Sequence, residues 1–364
     1  MSDTATVYNF SAGPAMLPQA VMRQAQKEFC NWHDTGLSVL DFSHRGADFT
    51  AIAEQAEKDL RDLLAIPEDY SVLFCPGGAS LQFSAIAMNF LRGKALYLNS
   101  GVWGDKATQE AKNFGDVIAF DLLSKQDGKT AIRSQQDWPD CSDDYDYIHF
   151  TPNETIGGVE FADLPKAGQG RWIADMSSCI LSQPINVKDY ALIYAGAQKN
   201  IGPAGLTIVI VRNDWLQREP VAPVPSLLSY AVMAQNQSMY NTPPTYAWYL
   251  AGLVFQWIKA EGGVAQMARR AEQRSQALYQ FIDNNDFYRN PIAKKNRSRM
   301  NIPFILKDES LNSLFLQQAE AAGLRYLKGH RSVGGMRASL YNAMPMQGVE
   351  ALIDFMSAFA AQNR

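Results

Sequence analysis

The chain has 364 residues, of which 47% are hydrophobic and 19% are charged, and its net charge at pH 7 is −4. This length predicts two domains, and this composition supplies a sizeable core and excludes intrinsic disorder. No segment is basic enough to predict a nucleic-acid partner, because binding to phosphate backbones requires clustered positive charge.

Short apolar segments alternate with helical patterns over the first two thirds of the chain. Strands are predicted at residues 71–75, 95–99, 117–121, 145–150, 171–175, 191–196 and 206–212. Several of these segments are apolar along their whole length, which is typical of strands in a sheet covered by helices on both faces. Apolar residues at three- and four-residue spacing predict helices at 50–65, 79–92 and 105–114. This order predicts a mostly parallel α/β sheet.

The pattern changes near residue 260, where helices begin to predominate. They are predicted at residues 263–285, 311–322 and 347–361, with a strand at 300–306. We therefore predict a large α/β domain that ends near residue 260 and a smaller α+β domain over residues 261–364.

Residues 220–258 contain no charged side chain. A membrane span is not predicted there, because Asn241, Pro243 and Pro244 help to interrupt any apolar run of about 20 residues. Two interpretations remain open: the rest of the chain covers this stretch, or a second subunit does. The basic residues 294–299 are interpreted as a solvated loop rather than as a binding patch.

Several chemistries are not predicted, because their motifs are missing. The chain has no complete glycine fingerprint for a dinucleotide, no Walker loop, no H-E-x-x-H and no G-x-S-x-G. Its four histidines show no metal-ligand spacing, and its four cysteines show neither a zinc nor a disulfide pattern. The first residues contain no basic segment followed by an apolar run, so we expect no signal peptide and a cytoplasmic protein.

Lys199 lies among small residues directly after a predicted buried strand, in the sequence YAGAQKNIGPAG. Its side chain is therefore expected to extend from the carboxyl edge of the sheet, where open α/β sheets bind ligands. A solvated loop lysine is the alternative interpretation.

Three further features are predicted at the same edge of the sheet. Asp175 ends one predicted strand and Trp103 follows another. A glycine pair leads into a predicted helix whose first amides, at Ala79 and Ser80, would form an anion site. Taken singly, these features are also consistent with a turn cap, with core packing and with a plain strand–helix turn.

Together the four features match the requirements of pyridoxal phosphate (PLP). The lysine can form an imine with the aldehyde, and the carboxylate can keep the pyridinium nitrogen protonated so that the ring accepts carbanion electrons. The anion site can hold the phosphate, and the tryptophan can stack on the ring.

Motifs spread over essentially the whole chain resemble those of the phosphoserine aminotransferase family, within the class V aminotransferases. They are NFSAGPAMLP, SHRG, GGAS, TPNETIGG, YAGAQKNIGPAG, MYNTPPT and GHRSVGGMRASLYNAMP. The resemblance implies the fold of type I PLP-dependent transferases, with an N-terminal segment (1–15) near the active site and a large PLP-binding domain (16–260). It also implies a homodimer whose active sites lie at the subunit interface, which would account for the charge-free stretch.

The resemblance implies a role for each matching residue at the cofactor. Lys199 is implied as the lysine that forms the imine, and Asp175 as the partner of the pyridinium nitrogen. The other implied contacts are Trp103 stacked on the ring, Thr155 near the ring hydroxyl, Gln198 beside the lysine, Ala79 and Ser80 at the phosphate, and Asn241 and Thr242 at the phosphate of the neighbouring subunit.

The same resemblance implies a substrate site built from cations. Arg337 would bind the α-carboxylate, and the distal anion would be bound by Arg45, His44, His330 and Arg331. Each of them alone is also consistent with a surface or structural ion pair. Some family members have an arginine where Ser80 stands and a serine where Ala12 stands, so distal-anion binding here would depend more on the remaining cations.

The implied reaction is reversible transamination between glutamate and 3-phosphohydroxypyruvate, which gives 2-oxoglutarate and phosphoserine. The same site would also make 4-phosphohydroxy-threonine for pyridoxine synthesis. The implied partners are these small molecules and a second copy of the chain, with no metal, membrane or nucleic acid. Two alternatives stay open: another PLP enzyme such as a lyase or desulfurase, which would need a reactive cysteine such as Cys179, and a non-enzymatic binding module.

Overall fold

The computed structural model describes residues 6–141, 144–162 and 170–363, so residues 1–5 of the predicted N-terminal segment lie outside it. The α-helices of the described residues are α1 (Gln19–Glu28), α2 (Ala47–Leu64), α3 (Ser80–Phe90), α4 (Val102–Ala111), α5 (Asn213–Leu216), α6 (Tyr230–Gln235), α7 (Thr245–Ala260), α8 (Gly263–Asp283), α9 (Asn312–Ala321) and α10 (Met346–Gln362). The strands are β1 (Tyr8–Asn9), β2 (Tyr70–Pro76), β3 (Lys94–Asn99), β4 (Asp116–Asp121), β5 (Leu123–Gln126), β6 (Lys129–Ile132), β7 (Ile148–Phe150), β8 (Asn153–Glu154), β9 (Val159–Glu160), β10 (Trp172–Asp175), β11 (Tyr190–Gly196), β12 (Leu206–Arg212), β13 (Tyr288–Arg289), β14 (Asn301–Leu306), β15 (Leu324–Arg325) and β16 (Met336–Ser339).

A seven-stranded sheet forms the centre of the larger part of the molecule. Its strand order is β2-β12-β11-β10-β7-β3-β4. Strand β12 runs antiparallel to both of its neighbours, and every other neighbouring pair is parallel. Each of the seven strands predicted from the sequence overlaps one strand of this sheet, so the prediction of a mostly parallel α/β sheet is confirmed.

Helices cover both faces of the sheet, which explains the continuous apolar strands. Along β12, Ile208 and Ile210 belong to the core cluster that includes residues of α2 and α7. The alternating residues Val209 and Val211 belong to the cluster on the opposite face, which includes residues of α3 and α6. Because successive side chains of a strand point to opposite faces, a strand between two helical layers must be apolar at every position.

The charge-free stretch is divided between the core and the surface. Its C-terminal third forms most of α7, a helix that the sequence interpretation did not assign, and α7 packs against α2. Trp248 of α7 stacks on Phe74 with ring centroids 4.1 Å apart. In contrast, Val221 and Tyr240 are 72% and 46% exposed. The rest of the chain therefore covers α7 and also buries Tyr230 and Met233 of α6, whereas other residues before α7, such as Val221 and Tyr240, are open to solvent.

The C-terminal part contains a second, smaller sheet with the order β13-β14-β16, which is antiparallel throughout. Helices α8, α9 and α10 contribute Leu278, Phe315 and Leu352 to its core. Strand β1 pairs with β15, and Phe10 is buried in this same core. Val264 of α8 packs into the core of the larger part, so the boundary near residue 260 stays a prediction.

The basic segment 294–299 is not simply a solvated loop. The side chain of Arg297 is only 7% exposed, and it donates two hydrogen bonds to Asp283 at 2.7 and 2.8 Å. Arg299 forms an ion pair with Glu160. The solvated-loop interpretation is therefore wrong for these two arginines, because their acidic partners lie on α8 and β9.

Candidate active site

The carboxyl ends of the sheet strands surround one cavity, and seven predicted cofactor residues line it. These are Ala79, Ser80, Trp103, Thr155, Asp175, Gln198 and Lys199. They follow or end β2, β3, β7, β10 and β11. Parallel strands end at the same edge of a sheet, and this topology brings residues together that are distant along the chain.

Lys199 lies in a tight turn after β11 and is partly buried. Its Nζ donates to Thr155 Oγ1 at 2.6 Å and lies 6.0 Å from the ring centroid of Trp103. Burial lowers the pKa of Lys199, against the opposing effect of the carboxylates of Asp175 and Glu154. A lowered pKa increases the neutral fraction of the amine, which is the form that can act as a nucleophile or base.

Asp175 ends β10 and is 5% exposed. One of its oxygens accepts a hydrogen bond from the Ser177 amide at 3.0 Å. On the two strands that flank β10, His149 Nε2 and the Tyr194 hydroxyl are 2.9 Å apart, and burial lowers the pKa of His149 to about 3. Asp175 lines the cavity together with Lys199, so its carboxylate is suited to pair with a cationic group of a ligand there.

The first turn of α3 forms the anion-binding part of the cavity. Strand β2 ends at Pro76, and Gly77 adopts a φ of +94°, a conformation that favours glycine. A Cβ atom added at Gly78 would meet no atom within 4 Å, so the space beside this turn is open. The first amides of a helix have no intrahelical carbonyl partner, and they therefore suit a phosphate.

Two of the predicted substrate cations lie beside this cavity. Arg337 of β16 donates from Nη1 to the Thr155 carbonyl at 3.4 Å, and its buried Nε has no partner among the described residues. His330 Nδ1 lies 2.8 Å from Ser332 Oγ. Partial burial and the cations of Arg337, Arg331 and Lys106 lower the pKa of His330. Arg331 is exposed on the same loop.

Seven predicted residues do not line the cavity of their own chain: Arg337, His330 and Arg331, described above, and four more. His44 and Arg45 precede α2, and Asn241 and Thr242 precede α7. Three of them are exposed, and the buried Nε2 of His44 has no partner in the described part of the chain. The single chain therefore leaves these residues available for another molecule.

The N-terminal segment contacts the turn that carries Lys199. The Ala15 amide donates to the Gln198 carbonyl at 2.9 Å, and the Tyr341 hydroxyl donates to the Ala12 carbonyl at 2.9 Å. Residues 12–15 thus connect the cavity with the C-terminal part of the chain.

Several residues at or near the cavity were missed by the sequence interpretation, and two of them are charged. The Nζ of Lys106 lies 4.5 Å from the ring centroid of Trp103. Trp103 precedes Lys106 by about one turn of α4. The spacing of three residues within a helix could have indicated this pair. Glu154 is fully buried next to Thr155, and its signal was an acidic residue within the TPNETIGG motif.

The structure offers no support for the alternative that depends on a reactive cysteine. Cys179 is 4% exposed and does not line the cavity, and burial raises the pKa of its thiol. A reactive cysteine needs the opposite shift and access to substrate. Within residues 6–141, 144–162 and 170–363, no cluster of three or more metal-ligating side chains is present and no helix is long and apolar enough to cross a membrane.

The fold and the lysine–carboxylate cavity define an aminotransferase of class V, since the model of the family "Aminotransferase class-V" matches residues 7–352. Phosphoserine aminotransferase of Acinetobacter baumannii is 55% identical over 358 residues, which are 98% of this chain and 99% of that protein. The solved phosphoserine aminotransferase of Bacillus circulans subsp. alkalophilus is 41% identical, with a TM-score of 0.93 over 99% of each chain. The PLP-bound phosphoserine aminotransferase of Trichomonas vaginalis is 40% identical, with a TM-score of 0.91 over 97% of this chain and 100% of that one. The chain belongs to the phosphoserine aminotransferase family, as its motifs predict.

Proposed function

We propose that the chain catalyses reversible, PLP-dependent transamination between glutamate and 3-phosphohydroxypyruvate, with phosphoserine and 2-oxoglutarate as products. The observation that carries this proposal is the meeting of Lys199, Asp175 and the first turn of α3 in one cavity. The same proposal extends to the phosphorylated 2-oxo acid that gives 4-phosphohydroxy-threonine, because that substrate carries the same two kinds of anion. A cytoplasmic location stays a prediction.

The donor set of the cavity fits PLP. Lys199 provides the amine, Asp175 provides the carboxylate for the ring nitrogen, and Ala79 and Ser80 provide amides for the phosphate. Trp103 provides the aromatic face over which the ring would lie. When bound, PLP supplies an electron sink that stabilises negative charge at the substrate Cα.

The chain's own residues bind the substrate and move its proton. Lys199 Nζ, with its lowered pKa, can take a proton from the substrate Cα and return it, and Thr155 Oγ1 orients this amine. Arg337 presents beside the cavity an Nε that has no partner in the described part of the chain, so it can hold the α-carboxylate. His330 and Arg331 lie on the loop before β16, where they can meet the distal anion.

The direct test is an assay of the PLP-loaded protein with several amino donors and 2-oxoglutarate as acceptor. We expect the highest kcat/KM for phosphoserine, and lower values for serine, alanine and aspartate. A protein that forms glutamate from alanine or aspartate as efficiently as from phosphoserine would contradict the proposed substrate.

Replacement of Arg331 is expected to change donor specificity rather than abolish the reaction. Each charge-assisted hydrogen bond contributes about 1.5–3 kcal/mol, so Arg331→Ala should lower kcat/KM for phosphoserine about ten- to a hundredfold. Glutamate, with a single distal carboxylate, should lose less, and serine should lose almost nothing. The measurement is kcat/KM for the three donors in both proteins. An equal loss for serine would mean that Arg331 supports the fold or binds the α-carboxylate.

The residues that do not reach their own cavity support a homodimer with shared active sites. Arg45, Asn241 and Thr242 are exposed cationic or polar residues. Large apolar side chains are also exposed on segments close to them in the chain, including Leu37, Leu40 and Tyr240. We infer that a second copy covers these side chains and receives Asn241 and Thr242 at its cofactor phosphate, and His44 and Arg45 at its distal anion.

Mixed dimers test this arrangement directly. Lys199→Ala and Arg45→Ala each damage a different half of every site, so dimers of either variant alone should be defective with phosphoserine. Co-expressed with distinct tags, the two chains should form mixed dimers, each with one intact site and one site that lacks both residues. Random pairing makes about half of the dimers mixed, so the mixture should recover about a quarter of the wild-type activity. If Arg45 served its own chain, mixing would restore nothing. Analytical ultracentrifugation should show a dimer at assay concentration, and a fully active monomer would refute the arrangement.

A further inference from the structure

Glu154 is a buried carboxylate that the mechanism above does not use. It ends the short strand β8, directly before Thr155, and its exposure is 0%. Its two carboxylate oxygens lie 3.2 and 3.4 Å from the backbone nitrogen of Trp103, which donates to them. Within the described residues Glu154 forms no salt bridge, in contrast to Glu160 on the paired strand β9.

The contact joins the segments that follow two different strands of the large sheet. Trp103 belongs to the first turn of α4, after β3, whereas Glu154 follows β7. A Cβ atom on Gly101, the residue before α4, would lie 2.4 Å from Glu154 Cγ. Only glycine therefore permits the carboxylate to approach the start of the helix this closely. This helix start carries the indole that lines the cavity.

Glu154 also carries charge close to the reactive groups. Burial raises its pKa to about 7, and the effect is opposed by the charge of Lys199 and by the amides of Trp103 and Ile156. The other charged groups that face it are Asp175 and Arg337. Glu154 directly precedes Thr155, which accepts a hydrogen bond from Lys199 Nζ at its hydroxyl and one from Arg337 Nη1 at its carbonyl, so the carboxylate lies close to both basic groups although it does not itself line the cavity.

We propose that Glu154 is a positioning residue with two separable roles. Its oxygens hold the first turn of α4, and with it the Trp103 ring, at the cavity. Its negative charge balances Lys199 and Arg337 and so favours the protonated form of the Lys199 nitrogen. The inference rests on the proposed function, because both roles prepare the cavity for PLP.

Glu154→Gln and Glu154→Ala separate the two roles. Glutamine keeps the size and one acceptor oxygen but removes the charge, whereas alanine removes both. Glu160→Gln is the matched control, because it makes the same change at a buried residue of the same hairpin whose partner, Arg299, does not line the cavity. The readouts are PLP affinity by equilibrium dialysis and the pH midpoint of the visible absorbance, which follows protonation of the Lys199 nitrogen in the loaded protein.

The charge role predicts that the midpoint falls by about one pH unit in Glu154→Gln, because loss of a nearby anion disfavours a protonated cation. The positioning role predicts that PLP affinity falls about tenfold in Glu154→Ala but only about twofold in Glu154→Gln, which retains an acceptor for the Trp103 amide. Glu160→Gln should change neither readout, although its thermal stability should fall.

A midpoint in Glu154→Gln equal to that of the wild type, or equal PLP affinities of the two Glu154 variants, would overturn the inference. If Glu154→Ala fails to fold, the glutamine variant still decides the charge role. Failure of the proposed function gives a different result: the wild-type protein would then show no preference for phosphoserine as amino donor, a readout that none of the Glu154 predictions uses.

Discussion

Replacement of Lys199 by alanine is expected to lower turnover by about a thousandfold or more, because it removes both the amine that bonds to PLP and the base at the substrate Cα. The fold should persist, since the side chain is only partly buried and its Nζ forms one side-chain hydrogen bond, to Thr155. Steady-state rates with phosphoserine, circular dichroism and visible absorbance with added PLP measure these effects. Retention of normal turnover would contradict the proposed role.

Lys199→Arg is the matched variant that separates charge from chemistry. Arginine keeps the positive charge beside Asp175 and Glu154, but its guanidinium is not deprotonated in proteins and cannot act as the nucleophile or base. We therefore expect it to be as inactive as the alanine variant. A small primary amine added to Lys199→Ala should restore part of the rate. The same amine should restore nothing in Lys199→Arg, because the arginine occupies the space that the amine would need.

The second large effect is expected from Asp175→Asn, which removes a charge while nearly preserving shape. An amide does not stabilise a protonated ring nitrogen as a carboxylate does, so kcat should fall about a hundredfold or more, while PLP affinity should fall much less. Comparison of substrates carrying hydrogen or deuterium at Cα tests whether proton removal is the slowed step. Equal losses in PLP affinity and kcat would instead make Asp175 a structural residue.

Asp121→Asn provides the control for this change. Asp121 also ends a parallel strand at the same sheet edge, and it accepts a hydrogen bond from the Leu123 amide at 2.8 Å, as Asp175 does from the Ser177 amide. It is exposed and lies outside the cavity. Asp121→Asn should therefore leave both kcat and PLP affinity unchanged, so that an effect confined to Asp175 reports on the site rather than on the loss of a turn-capping carboxylate.

The apolar pattern of the sequence was sufficient to predict the seven strands of the large sheet, because strands between two helical layers must be apolar at nearly every position. The same pattern was sufficient to predict that four of the residues lining the cavity lie at one edge of the sheet. Ala79, Trp103, Asp175 and Lys199 each end or follow a predicted strand, and the edge of a parallel sheet collects such positions. Those positions already indicated PLP chemistry, and the family motifs added Thr155, Gln198 and the substrate residues.

The same pattern could not predict α7, because a helix with buried residues around most of its circumference has no amphipathic period. Nor could it predict the burial of Arg297 and Arg299, since the acidic partners of these arginines come from other elements.

What the sequence by itself determined is therefore which segments become strands and which residues stand at their carboxyl ends, because both depend on local patterns of apolar and small residues. Only the tertiary structure decided that Glu154 meets the start of α4, since that contact needs β3 and β7 to lie side by side and glycine at position 101. It also decided that His44, Arg45, Asn241 and Thr242 stay outside the cavity of their own chain. Spatial proximity between separate strands is a property of the assembled sheet, and no local pattern of residues contains it.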